Sequence, residues 1–192
     1  MKKSKVTVGI AMLITVGVPL IGYLSFGIIP AILFFIGYLG GFVLWILNPQ
    51  ATSFEPVRKL YWITFALFIL HRVEEKVSGF FDVLAEMTGV SKPEIISVPI
   101  ILLLIISVGA WLFGPALMKR KFPVGGFLVW SFFASMGITE LAHFVLPFFW
   151  DKPYGYFPGM LSVIVLAPVA WYAMYRLVKG SNQEGELKCK SI

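Results

Sequence analysis

The sequence predicts an all-α fold, a polytopic membrane helical bundle of about six transmembrane helices with one short extra helix on the outer side. Of the 192 residues, 58% are apolar and only 14% are charged, whereas a water-soluble domain carries about a quarter charged residues. Six stretches are apolar over about the 20 residues that a hydrocarbon core requires. The basic residues are also distributed among the connecting segments as expected for a membrane topology.

The same composition excludes several other classes of protein. High hydrophobicity excludes a disordered chain, and a single cysteine, Cys189, excludes a secreted disulfide scaffold. In a soluble protein a net charge of +6 would suggest a nucleic-acid partner. In a membrane protein the first explanation is topology, so the predicted partner is the lipid bilayer and no nucleic acid.

The predicted spans follow from apolar runs and the residues that interrupt them. A turn near Gly27 separates the first two, Asn48 and Pro49 end the second, and Arg58 and Lys59 precede the third. The first run is too long to be the apolar part of a signal peptide, so we expect it to be retained. Within one domain, residues 1–180, the spans are 6–26, 28–47, 60–75, 95–118, 122–149 and 156–177.

The basic residues orient these spans. With the N-terminus inside, 12 of the 16 basic residues fall in inner segments, and Arg72, Lys76, Lys92 and Lys152 fall in outer ones. Lysine and arginine accumulate on the cytoplasmic side of membrane proteins. We therefore expect a multi-pass protein of the cell membrane with both termini cytoplasmic, ending in a short, disordered cytoplasmic tail over residues 181–192.

Two features lie outside this regular pattern. Residues 77–94 are too polar to span, but their apolar residues recur at helical spacing around Asp82 and Glu86, which predicts a short interfacial or re-entrant helix on the outer side. Glycines on the second span, Gly37, Gly40 and Gly41, predict close packing against another helix.

Ionisable residues within the spans form two groups. His71, Glu74 and Glu75 stand at i, i+3 and i+4 in the third span, so they share one helical face. Glu140 and His143 stand at i and i+3 in the fifth. A charge at the centre of a spanning helix costs about 2.5 to 3.5 kcal/mol, so such residues usually serve a function.

The two groups are predicted to lie at similar depths. With a rise of about 1.5 Å per residue, His71 is about 18 Å and Glu140 about 21 to 27 Å from the inner ends of their helices. Both helices run outwards, so the groups can face each other in the outer half of the bundle. This predicts a shared polar site.

Metal binding is the leading prediction for this site. Helical bundles hold di-iron and di-manganese centres with Glu-x-x-His pairs and further carboxylates, and a single zinc with an open water position is the other arrangement considered. The predicted ligands are His71, Glu74, Glu75, Glu140 and His143, with Asp82 or Glu86 as a sixth. Tyr156 is a predicted hydrogen-bond donor to a ligand carboxylate. Glu75 and Glu140 are the predicted catalytic residues, Glu75 as bridging ligand or general base.

Two metal-free alternatives remain open. Buried glutamates beside histidines can transfer protons, which would suit an acid–base isomerase acting on a lipid-soluble substrate or a proton-coupled transporter. The same residues, together with Arg72, could instead form a structural polar network in a membrane subunit. The leading hypothesis is a metal-dependent enzyme, a hydrolase or oxidoreductase, that acts on a small or lipid-soluble substrate. The oligomeric state is not predicted.

At these residues the chain resembles the HXXEE family of integral membrane proteins. The family's His-x-x-Glu-Glu motif occurs at residues 71–75, its further histidine is His143, and its Tyr-x-Pro-Gly motif occurs at residues 156–159. The resemblance implies a membrane protein without assigning a reaction. Intramembrane proteases of prenylated proteins use a related pattern, but Gly79 and Thr139 stand where that pattern requires arginine and phenylalanine.

Overall fold

The computed structural model describes residues 3–49, 53–89 and 98–190, and every regular element in these ranges is helical. Three single 3-10 turns, Glu55–Val57, Thr139–Leu141 and Leu146–Phe149, connect the α-helices. The α-helices are α1 Lys5–Phe26, α2 Ile28–Leu47, α3 Arg58–Val77, α4 Phe80–Thr88, α5 Val98–Lys119, α6 Pro123–Gly137, α7 Ala142–Val145 and α8 Met160–Lys190.

The first two predicted spans, 6–26 and 28–47, correspond closely to α1 and α2. Ser4 begins α1 because its Oγ accepts a hydrogen bond from the Thr7 amide at 3.1 Å. Gly27 separates the two helices with a φ of 82°, a backbone conformation that glycine adopts without strain. Asn48 ends α2, and its side chain donates to the Leu44 carbonyl at 2.8 Å.

Among the residues that the structure describes, five segments are long and apolar enough to cross a membrane: α1, α2, most of α5, the stretch Pro123–Phe149, and α8 as far as Gly180. The predicted third span, 60–75, forms the continuous helix α3 but is too rich in charged residues to meet the same criterion. The predicted fourth span, 95–118, corresponds to α5 from Val98 onwards, and residues 95–97 lie outside the described ranges.

The predicted fifth span, 122–149, is not one continuous helix. Regular helix ends at Gly137, Ile138 departs from helical geometry with a φ of −120°, and the remainder consists of α7 between two 3-10 turns. Pro147 contributes to the end of α7 at Val145, because it has no amide hydrogen to donate to the preceding turn. The Gly137 carbonyl accepts a hydrogen bond from the Trp171 indole at 2.5 Å, so the break has a partner on α8.

The predicted sixth span, 156–177, begins later than expected. Residues 156–159 form a loop, and α8 starts at Met160. The helix then continues to Lys190, so residues 181–190, expected as part of a disordered tail, extend α8. Residues 191–192 lie outside the described ranges.

The central helix is α6, which packs against α2, α5 and α8. Thirteen of its 15 residues are buried. On its α2 side, Ser131 and Ser135 face Gly41 and Gly37 so closely that a methyl group on either glycine would overlap α6. Small residues on both surfaces therefore set the α2–α6 distance, as in membrane helix pairs. Gly40 makes no such close approach, with its nearest neighbours at 3.6 Å.

A hydrogen bond between α3 and α5 helps to fix the position of α3. Pro115 within α5 cannot donate a backbone hydrogen bond to Trp111, four residues earlier. Tyr61 on α3 supplies the missing donor, with its hydroxyl 2.6 Å from the Trp111 carbonyl oxygen. Since α3 also packs against α8, its C-terminal half is held beside the break that follows α6.

The short outer helix predicted within residues 77–94 is α4. Gly79 and Gly89, both left-handed, bound it, while residues 90–94, including the acidic Glu94, lie outside the described ranges. Phe80 and Leu84 form its buried face. They pack in a small apolar cluster with Leu146, Phe157 and Met160. This cluster adjoins the site described below.

Candidate metal centre

Four of the five predicted ligands converge in the structure. His71 and Glu75 lie one turn apart on α3, Glu140 lies in the 3-10 turn after α6, and His143 lies in α7. One ligand atom from each lies within 4.8 Å of the others, and all four residues are buried. We call these four residues the His/Glu cluster. The break after α6 brings Glu140 and His143 towards α3.

Each histidine Nε2 lies at a similar distance from both carboxylate oxygens. Glu140 Oε2 lies 3.1 Å from His71 Nε2 and 3.3 Å from His143 Nε2. Glu75 Oε1 lies 3.5 Å from His71 Nε2 and 3.3 Å from His143 Nε2. Each carboxylate therefore offers one oxygen to both imidazole rings.

The opposite ring nitrogens determine which atoms carry hydrogen. His143 Nδ1 lies 2.5 Å from the Pro158 carbonyl oxygen, which can only accept, so Nδ1 donates. His71 Nδ1 lies 2.8 Å from Ser162 Oγ. That hydroxyl donates to the Gly159 carbonyl at 3.1 Å, so its oxygen accepts from His71. In the neutral rings, both Nε2 lone pairs consequently face the two carboxylates.

Arg72 orients the carboxylates from the other side. Its Nη1 lies 2.6 Å from Glu75 Oε2, and its Nη2 lies 2.8 Å from Glu140 Oε1. The guanidinium also stacks on the Phe68 ring at 5.2 Å. One oxygen of each carboxylate is thus bound by Arg72, while the other faces the histidines. The sequence indicated Arg72 only as part of a structural network, although two buried glutamates already require a nearby cation.

The loop before α8 fits closely around both histidines. Gly159 has a φ of 96°, and a Cβ there would lie 2.7 Å from His143 Cε1 and 2.8 Å from His71 Cε1. Any larger residue would therefore be strained and would also collide with the rings. Pro158 and Gly159 were recognised in the sequence only as a motif; their contacts with the histidines depend on the tertiary structure.

Aromatic rings surround His143. Its ring centroid lies 5.2 Å from that of Phe80, 5.9 Å from that of Phe157 and 4.8 Å from that of His71. Phe80 belongs to α4, so this short helix covers one side of the cluster. An apolar shell of this kind excludes water and strengthens electrostatic interactions inside the site.

Glu74 lies outside the cluster, although the sequence predicted it as a ligand. Its carboxylate accepts hydrogen bonds from the Leu161 amide at 3.1 Å, the Ser162 amide at 2.8 Å and the Tyr156 hydroxyl at 2.8 Å. It therefore caps the N-terminus of α8, where the helix dipole favours a negative charge. Tyr156 donates to this capping residue rather than to a residue of the cluster. Partial burial raises the pKa of Tyr156, which keeps its hydroxyl protonated.

The two acidic residues of α4 also lie outside the cluster. Glu86 is exposed and forms an ion pair with Lys152 at 2.7 Å. Asp82 lies in the first turn of α4. Neither belongs to the group of residues whose ligand atoms converge. The structure consequently brings together two histidines and two glutamates. Neither Asp82 nor Glu86 joins them as a further ligand.

The net charge of the cluster is compatible with a bound cation. Glu75 and Glu140 contribute two negative charges and Arg72 one positive charge, so neutral histidines leave a net charge of −1. Two imidazole nitrogens face two carboxylate oxygens across 3.1 to 3.5 Å, and with neutral histidines all four atoms carry lone pairs. Such an arrangement needs either a metal ion or protons between the atoms. The cluster could therefore hold a metal ion.

The fold and the site define the class of protein. In the described ranges all regular elements are helical, five segments could span a membrane by length and composition, and a buried His/Glu cluster could hold an ion. Comparisons with known protein families, with curated proteins and with solved structures find no match.

Proposed function

We propose that this chain is an integral membrane protein in which α3 is a sixth span. Two observations support the proposal. Exposed apolar side chains cover the outer surfaces of α1, α2, α5 and α8, and lipid is the solvent that such surfaces prefer. Lys3 donates to the Trp45 carbonyl at the end of α2, and Lys119 lies over the Phe54 ring. Gly180 of α8 adjoins Pro56. These contacts place several basic segments at the same end of the helices. That end is the proposed cytoplasmic side.

The proposed function of the cluster is to bind one divalent transition-metal ion, with zinc the best fit. The supporting observation is the set of four donor separations, 3.1, 3.3, 3.3 and 3.5 Å. Zinc binds nitrogen and oxygen donors at about 2.0 to 2.1 Å in tetrahedral sites, so neighbouring donors are about 3.3 Å apart. The four nitrogen–oxygen separations therefore match those of a tetrahedral zinc site, and the nitrogen–nitrogen and oxygen–oxygen separations are at most 4.8 Å.

The chemistry of the donors also favours a single zinc over a two-metal centre. Imidazole nitrogens suit zinc and iron, whereas manganese prefers six oxygen donors. A second ion would need additional carboxylates, but Glu74, Asp82 and Glu86 lie elsewhere. The proposed ligands are His71 and His143 through Nε2 and the two cluster glutamates through one oxygen each. Pro158, Ser162 and Arg72 would hold these ligands in orientation.

A catalytic role adds one requirement to this proposal. Catalytic zinc sites keep an open position for water or substrate, and some expand to five ligands during the reaction. Four protein donors would fill a four-coordinate site, so a substrate atom would have to enter as a fifth ligand. Glu75 and Glu140 each hold an oxygen towards Arg72, which favours a ligand role over that of a free general base.

Metal content tests the proposal directly. We expect the full chain, purified in dodecyl maltoside and loaded with zinc, to retain about one ion per chain after gel filtration. Glu75→Gln should lose the ion because an amide carries no charge and is a weak ligand. Glu74→Gln is the matched control: it makes the same chemical change at the neighbouring residue and should retain zinc.

Cobalt(II) provides a second measurement on the same preparation. Four-coordinate cobalt absorbs visible light much more strongly than six-coordinate cobalt, so the spectrum reports the geometry of the site. A folded protein that binds no metal, or that retains metal equally in His71→Ala and His143→Ala, would show that the cluster is not a metal centre. Equal loss of zinc in the two glutamate variants would show that the residues have been assigned incorrectly.

The second candidate is metal-free acid–base chemistry. One imidazolium in place of a metal ion would bring the net charge of the cluster and Arg72 to zero, and the 3.1 Å separation of His71 and Glu140 suits a hydrogen bond. A proton relay or an acid–base isomerase would then use the same residues. A metal-free protein that stays folded and loses its proton-coupled activity in His71→Ala would favour this candidate.

The resemblance to the HXXEE family is part of the proposal and rests on the motifs alone. The structure gives the motif residues complementary positions. His71, Glu75 and His143 form the cluster, Glu74 caps α8, and the segment 156–159 supplies the Pro158 carbonyl and the space at Gly159. These positions support the view that the three motifs together define one site.

A further inference from the structure

Arg72 differs from the four residues of the cluster because it reaches the surface of the protein. The two glutamate side chains are 4% and 8% exposed, whereas that of Arg72 is 44% exposed. Its neighbours Ile69, Leu70 and Val73 are exposed and apolar. Arg72 therefore connects the buried cluster to an apolar outer surface of α3.

The guanidinium has unused hydrogen-bonding capacity. Arginine carries five N–H donors. Within the described residues, Glu75 and Glu140 occupy one direction each from Nη1 and Nη2, which leaves three donors for a further acceptor. Planar, multidentate donors of this kind match the oxygens of phosphate and carboxylate groups.

Metal binding would make the net charge beside these donors more positive. With neutral histidines, the cluster together with Arg72 carries −1 when empty, and one imidazolium brings this charge to zero. A divalent ion bound to neutral histidines brings it to +1. A positive charge in a weakly polar environment attracts an anion strongly. A neutral or negative empty cluster lacks this attraction. The charge and the unused donors together indicate an anionic ligand that binds after the metal.

We propose that the ion-loaded cluster binds the oxyanion headgroup of an amphiphile at Arg72, with the alkyl chain along the apolar surface of α3. The inference rests on the proposed metal site and adds a substrate class to it. The surface argument selects an amphiphile rather than a free anion, because the exposed side chains of Ile69 and Val73 offer apolar contacts beside Arg72. The headgroup would approach from the bilayer rather than from water.

The probe is radiolabelled dodecyl phosphate, with inorganic phosphate as the competitor that lacks a chain. Zinc content is measured first, after gel filtration in dodecyl maltoside. We expect the zinc-loaded protein to bind dodecyl phosphate about tenfold or more tightly than the zinc-free protein, within the usual range of coupling between two sites. Inorganic phosphate should compete only at much higher concentration.

Variants of α3 separate Arg72 from its general surroundings. Arg72→Gln should lose the zinc-dependent increase in affinity, whereas Lys76→Gln, which removes an exposed positive charge one turn along α3, should keep it. Arg72→Lys keeps a cation without the planar fork and should bind with intermediate affinity. This variant provides the comparison if Arg72→Gln does not fold.

The outcomes distinguish this inference from the proposed function. A protein that retains no zinc overturns both. A protein that retains zinc but binds dodecyl phosphate equally with and without it, or equally in Arg72→Gln, overturns the inference alone. Equal competition by inorganic phosphate overturns the amphiphile as the source of the oxyanion.

Discussion

The stretch Pro123–Phe149 contains two regions with opposite properties. The helix α6 is regular, buried and held by small-residue contacts with α2. The following region, from Thr139 onwards, is broken into short turns and contributes Glu140 and His143 to the cluster. In the proposed membrane setting, a broken helix is tolerated only where other groups bind the freed backbone atoms or where it lines a site.

The two regions differ in what fixes the positions of their residues. In α6 the positions are fixed by complementary shape, because the absence of a side chain at Gly41 lets the backbone of Ser131 approach α2 closely. In the broken region they are fixed by directed polar contacts, since Trp171 binds the Gly137 carbonyl and Pro158 binds His143. A substitution should therefore affect stability in the first region and ion binding in the second.

The largest effect on zinc affinity is expected for Gly159→Ala, which tests the directed contacts around the cluster histidines. The added methyl group would lie 2.7 Å from His143 and 2.8 Å from His71, at a φ of 96° that alanine rarely adopts. Both rings would have to move, so zinc affinity should fall by more than the roughly 100-fold typical of outer-shell changes. Zinc competition with a chromogenic chelator measures the loss. Unchanged zinc affinity would contradict the position of this loop.

An intermediate effect is expected for Gly41→Ala, which tests the regular region. The methyl group would overlap the Ser131 backbone, so we expect a loss of about 1 to 3 kcal/mol in the free energy of unfolding. Gly40→Ala is the matched control: its methyl group has room, with nearest atoms at 3.6 Å. Alanine is also the better helix former there, so stability should rise slightly.

Thermal unfolding in dodecyl maltoside compares the two glycine variants, with zinc content as the second measurement. Both folded variants should retain about one zinc per chain. Equal destabilisation of the two would indicate that α2 and α6 are not packed through Gly41. Loss of zinc from a fully folded Gly41→Ala protein would contradict the view that substitutions in the α6 region affect stability and not ion binding.

The smallest effect is expected for Ser162→Ala. His71 Nδ1 would lose its acceptor at 2.8 Å, so the ring could change tautomer and turn. We expect zinc affinity to fall about tenfold, the lower end of the range for outer partners of a metal ligand. Ser162→Thr keeps the hydroxyl and should restore most of the affinity. Equal affinity in the alanine variant and the unaltered chain would show that Ser162 does not orient His71.

Much of the helical framework was predictable from the order of residues along the chain. The turn at Gly27, the end of α2 at Asn48 and the helical character of residues 58–77 follow from local residue preferences. The break after Gly137 was not predicted, because residues 122–149 are apolar with no strong interruption before Pro147. What stabilises the break is the distant Trp171, which no local pattern reveals.

The candidate site was predictable to a similar degree. Helical spacing placed His71 and Glu75 on one face and paired Glu140 with His143, and these four residues do converge. The same spacing also admitted Glu74, since residues at i+3 and i+4 both lie near residue i. The position of α8 decides between the two, because its N-terminal amides bind Glu74 and leave Glu75 to face the histidines.

By itself, the sequence determined the helical class, most of the apolar segments and the five candidate ligands that include the cluster, because hydrophobic periodicity and helical spacing are local properties. Only the tertiary structure decided the roles of Arg72, Pro158, Gly159 and Ser162. These roles depend on how α8 and its preceding loop pack against α3. Packing decides which distant backbone atom orients a side chain, and the spacing of residues in the sequence does not predict that contact.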